Sequence, residues 1–166
     1  MRSVLYPGSF DPFTRGHLDL VIRACELFDR VVVGVAVNSK KHPMFSLEER
    51  KELIEKSLLD AHTPILDKVE VDVLDGLIVE HINSLKVDCI IRGIRAFSDF
   101  EHEMQMAEMN RDMYPGCETI FMIPELRLSF ISSSAVKEIA LRGGDISPYV
   151  PESVAAAVKE KFHECV

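Results

Sequence analysis

Apolar runs alternate with amphipathic segments along the whole chain. The uninterrupted run 31–37 suits a strand of a parallel sheet, because helices then cover both faces of such a sheet. Shorter segments predict further strands at 4–6, 87–91 and 118–123, and alternation of valine with acidic residues predicts one at 69–73. Apolar residues at helical spacing predict helices between the strands and after the last one. This alternation predicts an α/β fold with a single domain, residues 1–166.

Polar capping residues mark several of the predicted helix starts. Thr14 precedes the first helix, and a Ser-x-x-Glu capping box at Ser46 opens the second. A similar box at Ser98 opens a long helix that ends near Met113. Further helices are predicted over 77–85, 133–141 and 152–163. With right-handed crossovers, the strands form a doubly wound, Rossmann-like, five-stranded parallel sheet in the order 3-2-1-4-5, with helices on both faces.

Four polar segments follow the carboxyl ends of strands, so this fold brings them to one edge of the sheet. They are the glycine turn 8–17, the lysine loop 40–42, the arginine pair Arg92 and Arg95, and the serine run 132–134. Helix N-termini and glycine turns bind phosphate, and lysine and arginine add positive charge. Each segment also has an ordinary interpretation as a surface loop, a surface charge pair or a set of helix caps. Their convergence favours a ligand site where the strand order reverses.

Composition narrows the possible partners. Nineteen basic and twenty-seven acidic residues give a net charge of −8, which argues against a general nucleic-acid or anionic-membrane surface. The four cysteines form no C-x-x-C pair, so they predict reduced, buried thiols in a cytoplasmic protein and no metal site. No leader and no apolar run near eighteen residues is present, so no membrane span is predicted.

Five motifs together resemble those of the bacterial phosphopantetheine adenylyltransferase family, in the nucleotidyltransferase superfamily. They are Gly-Ser-Phe-Asp-Pro-Phe-Thr-Arg-Gly-His at 8–17, Pro-Met-Phe-Ser-Leu-Glu-Glu-Arg at 43–50, Arg-Gly-Ile-Arg at 92–95, Asp-Phe-Glu-His-Glu-Met-Gln-Met-Ala at 99–107 and Ser-Phe-Ile-Ser-Ser-Ser at 129–134. The resemblance covers nearly the whole chain. It implies adenylyl transfer from ATP to 4′-phosphopantetheine, which gives dephospho-coenzyme A and pyrophosphate in the penultimate step of coenzyme A synthesis. It also implies Mg²⁺ bound with ATP, and a homohexamer.

The resemblance implies roles for individual residues. Ser9 and Phe10 contact ATP, and Ser9 also contacts the acceptor phosphate. His17 binds ATP and stabilises the transition state. Lys41, Ile78 and Arg92 contact the acceptor, and Lys41 and Arg92 join His17 as catalytic candidates. The nucleotide is lined by Gly93, Ile94, Arg95, Glu103, Leu128, Ser129, Phe130, Ile131, Ser132, Ser133 and Ser134. Leu128 stands where the family often has an aromatic residue.

Other functions compete with this one. Another adenylyl- or cytidylyltransferase of the superfamily would share the Thr-x-Gly-His turn and the serine run. A non-catalytic nucleotide sensor on the same fold would bind ATP without releasing pyrophosphate. A class I aminoacyl-tRNA synthetase also shares the turn, but the chain lacks room for a tRNA-binding domain and is acidic. Methionine and phenylalanine on more than one face of the helix over 98–113 predict a homo-oligomer.

Overall fold

A computed structural model describes residues 1–37 and 43–163, which form a five-stranded parallel sheet in the order β3-β2-β1-β4-β5. The strands are β1 (Ser3–Gly8), β2 (Arg30–Ala36), β3 (Val69–Leu74), β4 (Cys89–Gly93) and β5 (Glu118–Met122). The predicted fold class and strand order are therefore confirmed. The predicted lysine loop, with Lys40 and Lys41, and the fourth cysteine, Cys165, lie outside the described residues.

Helices cover both faces of the sheet. They are α1 (Arg15–Leu27), α2 (Leu47–Asp60), α3 (Ile78–Leu85), α4 (Phe97–Met113), α5 (Ser133–Leu141) and α6 (Glu152–His163), with short 3₁₀ turns at Pro64–Lys68 and Leu126–Leu128. Thr14, Ser46 and Ser132 cap their helices through side-chain oxygens, as predicted for Thr14 and Ser46. In the described part of the chain, no helix is long and apolar enough to cross a membrane.

The apolar core has two parts, one on each face of the sheet, because successive side chains of a strand point to opposite faces. On one face Val4 and Val33 pack with residues of α1, α2, α5 and α6. On the other face Leu5 and Val32 pack mainly with α3. The central strands are thus buried on both sides, which explains why β2 reads as a continuous apolar run.

The strands β1 and β4 differ from their predicted boundaries. The strand β1 continues through Pro7 and Gly8, which pair with Gly34 and Val35 of β2. The strand β4 starts two residues later than predicted, because the N–H of Val87 donates to Ile82 at the end of α3. Arg92 and Gly93 therefore lie within β4, paired with β5, and do not follow it.

The helix α4 begins at Phe97, two residues before the start that its predicted capping box implied. Its N-cap residue is Ala96, which makes no side-chain capping bond. The carboxylate of Asp99 instead accepts from the guanidinium and backbone N–H of Arg95, at 3.1 and 3.3 Å. Asp99 therefore fixes the strand-to-helix turn at the sheet edge.

Most apolar side chains of α4 remain exposed in the single chain. Asn110 is the one fully buried residue of this helix. Phe97 is 93% exposed, and Phe100, Met104, Met109 and Met113 are also exposed. Such an apolar helix face is unusual for an isolated monomer.

Gly34 lies at a position where β2 has no room for a side chain. A Cβ atom there would come within 2.4 Å of Leu74 Cδ1 and 3.0 Å of Leu5 Cδ1. We expect Gly34→Ala to lower the free energy of unfolding by about 1–3 kcal/mol, because the packed neighbours must shift. Urea denaturation measures this. Gly116→Ala is the control, because its Cβ would make an ordinary 3.4 Å contact with Tyr114. Equal stability of the two variants would contradict the expectation.

Candidate active site

A cavity of about 270 Å³ opens at the carboxyl ends of β1 and β4, where the strand order reverses. Its walls come from β1 and the turn after it, the start of α1, the end of β4, α4 and the start of α5. The lining residues are Tyr6, Pro7, Gly8, Ser9, Phe10, Thr14, Gly16, His17, Leu20, Arg92, Gly93, Arg95, Glu103, Pro124, Leu128, Ile131, Ser132, Ser133 and Ser134. Three of the four predicted polar segments therefore meet at one site.

His17 lies in the first turn of α1 and is held by the residue that caps the helix. The backbone N–H of Thr14 donates to His17 Nδ1 at 3.0 Å, and the N–H of His17 donates to Thr14 Oγ1 at 3.3 Å. A backbone N–H has no acceptor role, so Nδ1 carries no proton. The neutral ring therefore has its proton on Nε2, where it is a hydrogen-bond donor. His17 lines the cavity and is available as a donor to a ligand there.

The surroundings of His17 keep its imidazole neutral. The rings of Phe10 and Phe13 lie 5.1 and 5.6 Å from it, centroid to centroid. Burial and the nearby positive charges of Arg95 and Arg92 lower the pKa of His17 from 6.5 to about 3. Desolvation and like charge both disfavour the imidazolium form. His17 is thus a neutral donor at physiological pH and does not supply a positive charge.

The turn between β1 and α1 presents backbone groups to the cavity. Phe10 has φ +46°, which is uncommon for a residue with a side chain. Its ring packs against Tyr6, and a Cβ on Gly8 would come within 2.8 Å of that ring. A glycine at position 8 is therefore needed for this turn conformation.

Arg92 and Glu103 form a two-pronged ion pair in the cavity wall. Arg92 Nε donates to Glu103 Oε2 at 2.6 Å, and Nη2 donates to Oε1 at 2.8 Å. Arg92 Nη1 donates to the carbonyl of Pro7 at 2.6 Å. Two of the five guanidinium N–H groups therefore have no partner among the described residues and are available to an anion. Glu103, which the resemblance placed near the nucleotide, fixes the direction of the Arg92 side chain.

The start of α5 adds a second helix N-terminus. Ser132 Oγ caps the helix by accepting from the N–H of Ala135 at 3.1 Å. Ser133 Oγ donates to the carbonyl of Pro12 at 2.8 Å, and the hydroxyl of Ser134 has no partner among the described residues. Arg95 Nη1 donates to the carbonyl of Ile131 at 3.2 Å. Two helix N-termini, those of α1 and α5, thus favour negative charge at this cavity.

Three residues behind this wall were not predicted as site residues: Asp11, Arg50 and Lys137. The Asp11 carboxylate accepts from the N–H groups of Met44 and Phe45 at 3.0–3.1 Å, and from Lys137 Nζ at 2.8 Å. This buried network ties the turn after β1 to α5 and to the segment before α2. Asp11 stands inside the recognised Gly-Ser-Phe-Asp-Pro motif, which was a usable signal. Arg50 likewise ends the recognised motif at 43–50, whereas Lys137 lies on α5 and gives no local signal.

A second, small cavity of about 40 Å³ lies behind the Arg92–Glu103 pair, between α3 and α4. Ile78, Met106 and Asn110 line it together with Thr119. The Thr119 hydroxyl is buried and has no hydrogen-bond partner among the described residues. Asn110 is buried, and its side chain makes no hydrogen bond within the same set of residues. This cavity is therefore mixed in character, with apolar walls and unused polar groups.

Most of the predicted nucleotide-lining residues meet at the main cavity, but Ile94, Ser129 and Phe130 do not line it. The N–H of Ile94 donates to Met122, and Ser129 Oγ donates to the carbonyl of Leu126. Phe130 is 67% exposed and packs against Tyr149 on another surface. Ile78 lines the small cavity, and Lys41 lies outside the described residues.

Comparisons with known proteins find relatives over nearly the whole chain. Residues 5–139 match the cytidylyltransferase-like family. A phosphopantetheine adenylyltransferase from Dictyoglomus thermophilum is 47% identical over 162 residues, which is 98% of this chain and 96% of that protein. One from Carboxydothermus hydrogenoformans is 46% identical over 164 residues, covering 99% and 98%. The structure of Plasmodium falciparum nicotinic acid mononucleotide adenylyltransferase in complex with NaAD has the same fold, with TM-score 0.72 and 15% identity over 98% of this chain and 96% of that one.

The low pKa of His17 makes stability depend on pH. The folded chain disfavours a proton that the unfolded chain binds below pH 6.5, so the stabilisation is complete above pH 6.5 and is lost as the pH falls toward 3. We expect the wild type to lose free energy of unfolding relative to His17→Gln between pH 6.5 and 5, by no more than about 1.4 kcal/mol per pH unit. Urea denaturation of both proteins across this range measures the difference. Parallel pH profiles would contradict a histidine that stays neutral in the folded chain.

Proposed function

The chain belongs to the phosphopantetheine adenylyltransferase family of cytidylyltransferase-like enzymes, and we propose that it transfers the adenylyl group of ATP to 4′-phosphopantetheine. The products are dephospho-coenzyme A and pyrophosphate. The observation that carries this proposal is the placement of His17. Its neutral ring presents an Nε2–H donor at a cavity rimmed by arginines and two helix N-termini. These groups suit a reaction in which negative charge moves between phosphate groups.

The reaction needs no covalent enzyme intermediate. A phosphate oxygen of the acceptor is already anionic, so it attacks the α-phosphorus of ATP directly and the bond to pyrophosphate breaks. The protein must hold the reacting groups in line and stabilise the shifting charge. Hydrogen-bond donors, cations and helix N-termini do this without taking up a proton.

His17 has the role of transition-state donor in this proposal. Its Nε2–H faces an oxygen of the α-phosphate, where negative charge increases during transfer. Such a contact is stronger in the transition state than in the ground state, so it lowers the barrier. The ring does not act as a general base, because its exposed nitrogen bears a proton.

Arg92 and the residues around the small cavity behind it lie on the acceptor side in this proposal, although the cavity itself is too small for the whole arm. The two unused N–H groups of Arg92 bind the acceptor phosphate, and Glu103 holds the guanidinium in place. The pantetheine arm carries amide groups along a chain of methylenes. The apolar wall at Ile78 and the unused polar groups of Asn110 and Thr119 match this chemistry. Lys41, outside the described residues, stays a predicted contact to the acceptor.

Magnesium enters as part of the ATP substrate in this proposal. Within residues 1–37 and 43–163, no group of three or more histidine, cysteine, aspartate or glutamate side chains is placed to hold a metal ion. Mg²⁺ commonly keeps several waters and binds through substrate phosphates. When it is bound to ATP, it neutralises phosphate charge.

The proposed assembly is a homohexamer in the cytoplasm. The exposed apolar face of α4 supports an oligomer, since contact with another copy would bury Phe97 and the methionines. The hexamer itself rests on the family resemblance. Cys25, Cys89 and Cys117 are free and buried, which fits the reducing cytoplasm that the sequence predicts.

A pyrophosphate-release assay tests the proposed function. The wild type with Mg²⁺ and ATP should release pyrophosphate only when 4′-phosphopantetheine is added. Each alternative acceptor, nicotinate mononucleotide, nicotinamide mononucleotide or glycerol 3-phosphate, is tested in its place, first with ATP and then with CTP. Pyrophosphate release with one of them would indicate another nucleotidyltransferase. ATP binding without release under any condition would indicate a nucleotide sensor.

Two substitutions of His17 separate its capping role from its catalytic role. In His17→Asn, the shorter amide side chain would keep an acceptor near the Nδ1 position for the Thr14 N–H. In His17→Gln, the longer amide side chain would keep a donor near the Nε2 position. We therefore expect His17→Asn to lower kcat by about 10²–10³-fold, as for loss of one oxyanion donor, with ATP affinity largely unchanged. His17→Gln should lose less kcat.

Steady-state kinetics and thermal melts of the two variants check this expectation. A kcat of His17→Asn near the wild-type value, or a loss explained by unfolding, would assign His17 a structural role only.

Arg92→Ala should raise KM for 4′-phosphopantetheine far more than KM for ATP. A charge-assisted contact of this kind contributes about 1.5–3 kcal/mol, which corresponds to roughly 10–150-fold. Arg92→Lys should restore the loss only in part, because an ammonium does not fork two oxygens. Glu103→Gln should show a smaller loss with the same preference for the acceptor. Equal effects of Arg92→Ala on both substrates would place Arg92 elsewhere in the reaction.

Light scattering after size exclusion at micromolar concentration should show an oligomer. Phe97→Glu on the exposed face of α4 should shift it to smaller species, because a charge opposes apolar burial. Leu59→Glu is the control, since Leu59 is also exposed at 76% but lies on α2. A wild type that is only monomeric, or equal effects of the two substitutions, would contradict the assignment of this face.

A further inference from the structure

Arg50 is a buried cation that contacts only neutral acceptors among the described residues. It lies on α2 and is 4% exposed. Its Nη1 donates to the carbonyl of Ser9 at 2.8 Å, and its Nε donates to the carbonyls of Phe45 and Ser46 at 3.1 and 3.2 Å. No carboxylate in this part of the chain bonds to it. Burying a charge without a counter-ion is costly, so its placement calls for an explanation beyond packing.

A third cavity, of about 50 Å³, lies beside Arg50 and shares part of its wall with the main cavity. Ser9, Ser133 and Ser134 line both this cavity and the main one. Arg50 and Lys137 line this third cavity but not the main one. The Asp11 carboxylate there is already bonded to Lys137 and two backbone N–H groups. Within the described residues, no carboxylate is bonded to Arg50. Its charge therefore acts on the turn that carries Ser9.

The bond to the Ser9 carbonyl fixes the peptide group between Ser9 and Phe10. In a trans peptide the C=O and the following N–H point in opposite directions. Since the Ser9 oxygen points to Arg50, the N–H of Phe10 points away from Arg50. Phe10 lines the main cavity but not the third cavity beside Arg50. Its N–H has no hydrogen-bond partner among the described residues. The Phe10 N–H is thus an available donor on the cavity side of the turn.

The backbone conformation at Phe10 needs such a restraint. Its φ of +46° is unfavourable for a residue with a side chain, and such conformations persist when surrounding contacts hold them. Arg50 also donates to the carbonyl of Ala36 at 3.4 Å, so a single side chain joins the turn after β1 to the end of β2 and the start of α2. Loss of Arg50 would free the peptide plane to rotate.

We propose that Arg50 is a positioning residue for adenylyl transfer, which acts by aiming the Phe10 N–H at a phosphate oxygen in the main cavity. This inference rests on the proposed function of the site. Arg50 itself does not need to touch the substrate. Its charge strengthens the bond to the Ser9 carbonyl and polarises the peptide, which makes the Phe10 N–H a better donor.

Selective labelling lets NMR observe this N–H directly. Serine labelled with ¹³C at the carbonyl and phenylalanine labelled with ¹⁵N select only Ser-Phe peptide bonds, which occur in this sequence at Ser9-Phe10 and Ser129-Phe130. The Phe130 signal reports folding. On addition of inorganic pyrophosphate, the wild-type Phe10 amide proton should shift downfield as a phosphate oxygen accepts from it. In Arg50→Met that shift should be lost while both signals remain dispersed.

Kinetics of the same proteins give an independent readout. Misplacement of a site group by about 1 Å can cost 10²-fold in rate, so we expect Arg50→Met to lower kcat by about that factor, with smaller changes in both KM values. Ser57→Ala is the matched control, because Ser57 is buried on the same helix and bonds to Leu53 and Ser153, away from the site. The thermal melt of Ser57→Ala shows how much stability is lost when a buried polar group is removed from α2 away from the site.

Arg50→Lys keeps the test decisive if Arg50→Met does not fold. One ammonium cannot span the carbonyls of Ser9 and Phe45 as the guanidinium does, so the Phe10 response and kcat should fall to intermediate values. A wild-type Phe10 response together with unchanged kcat in a folded Arg50 variant would overturn the inference. Absence of pyrophosphate release in the wild type would instead refute the proposed function, while the NMR experiment still tests the restraint on Phe10.

Discussion

The hydrogen bond from the Thr14 N–H to His17 Nδ1 is the constraint on which the site depends. It satisfies one free N–H at the start of α1, and it also forces the histidine proton onto Nε2. The same interaction therefore caps the helix and sets which nitrogen of His17 is a donor to the cavity. The aromatic rings around His17 keep it desolvated, and the conformation of Phe10, which Gly8 makes room for, completes that environment.

An acidic protein that acts on two phosphate-bearing substrates must concentrate positive potential locally. The net charge is −8, yet the cavity is rimmed by Arg92, Arg95 and two helix N-termini. The same arginines disfavour protonation of His17. In the proposed mechanism the site thus separates two tasks: permanent cations and dipoles attract phosphate, and a neutral donor stabilises the charge that develops during transfer. None of these groups needs to titrate near neutral pH.

The sequence allowed the sheet order to be predicted, because strands buried on both faces read as continuous apolar runs. It also allowed His17, Arg92 and the serine run to be placed together, since the carboxyl ends of parallel strands share an edge. The start of α4 was mispredicted because Ala96 takes the N-cap position, so Ser98 lies inside the helix and does not cap it. The contacts of Asp11 with Lys137 and of Ser9 with Arg50 join residues 126 and 41 positions apart, which no local pattern reveals.

The tautomer of His17 is the most direct test of this account. Long-range ¹H–¹⁵N correlation spectra of protein with ¹⁵N-labelled histidine, at pH 7, distinguish the two neutral forms and the imidazolium. The His17 signals are identified by their absence from His17→Asn. The account predicts a neutral ring protonated at Nε2, unchanged down to pH 5. A proton on Nδ1, or an imidazolium at pH 7, would contradict it.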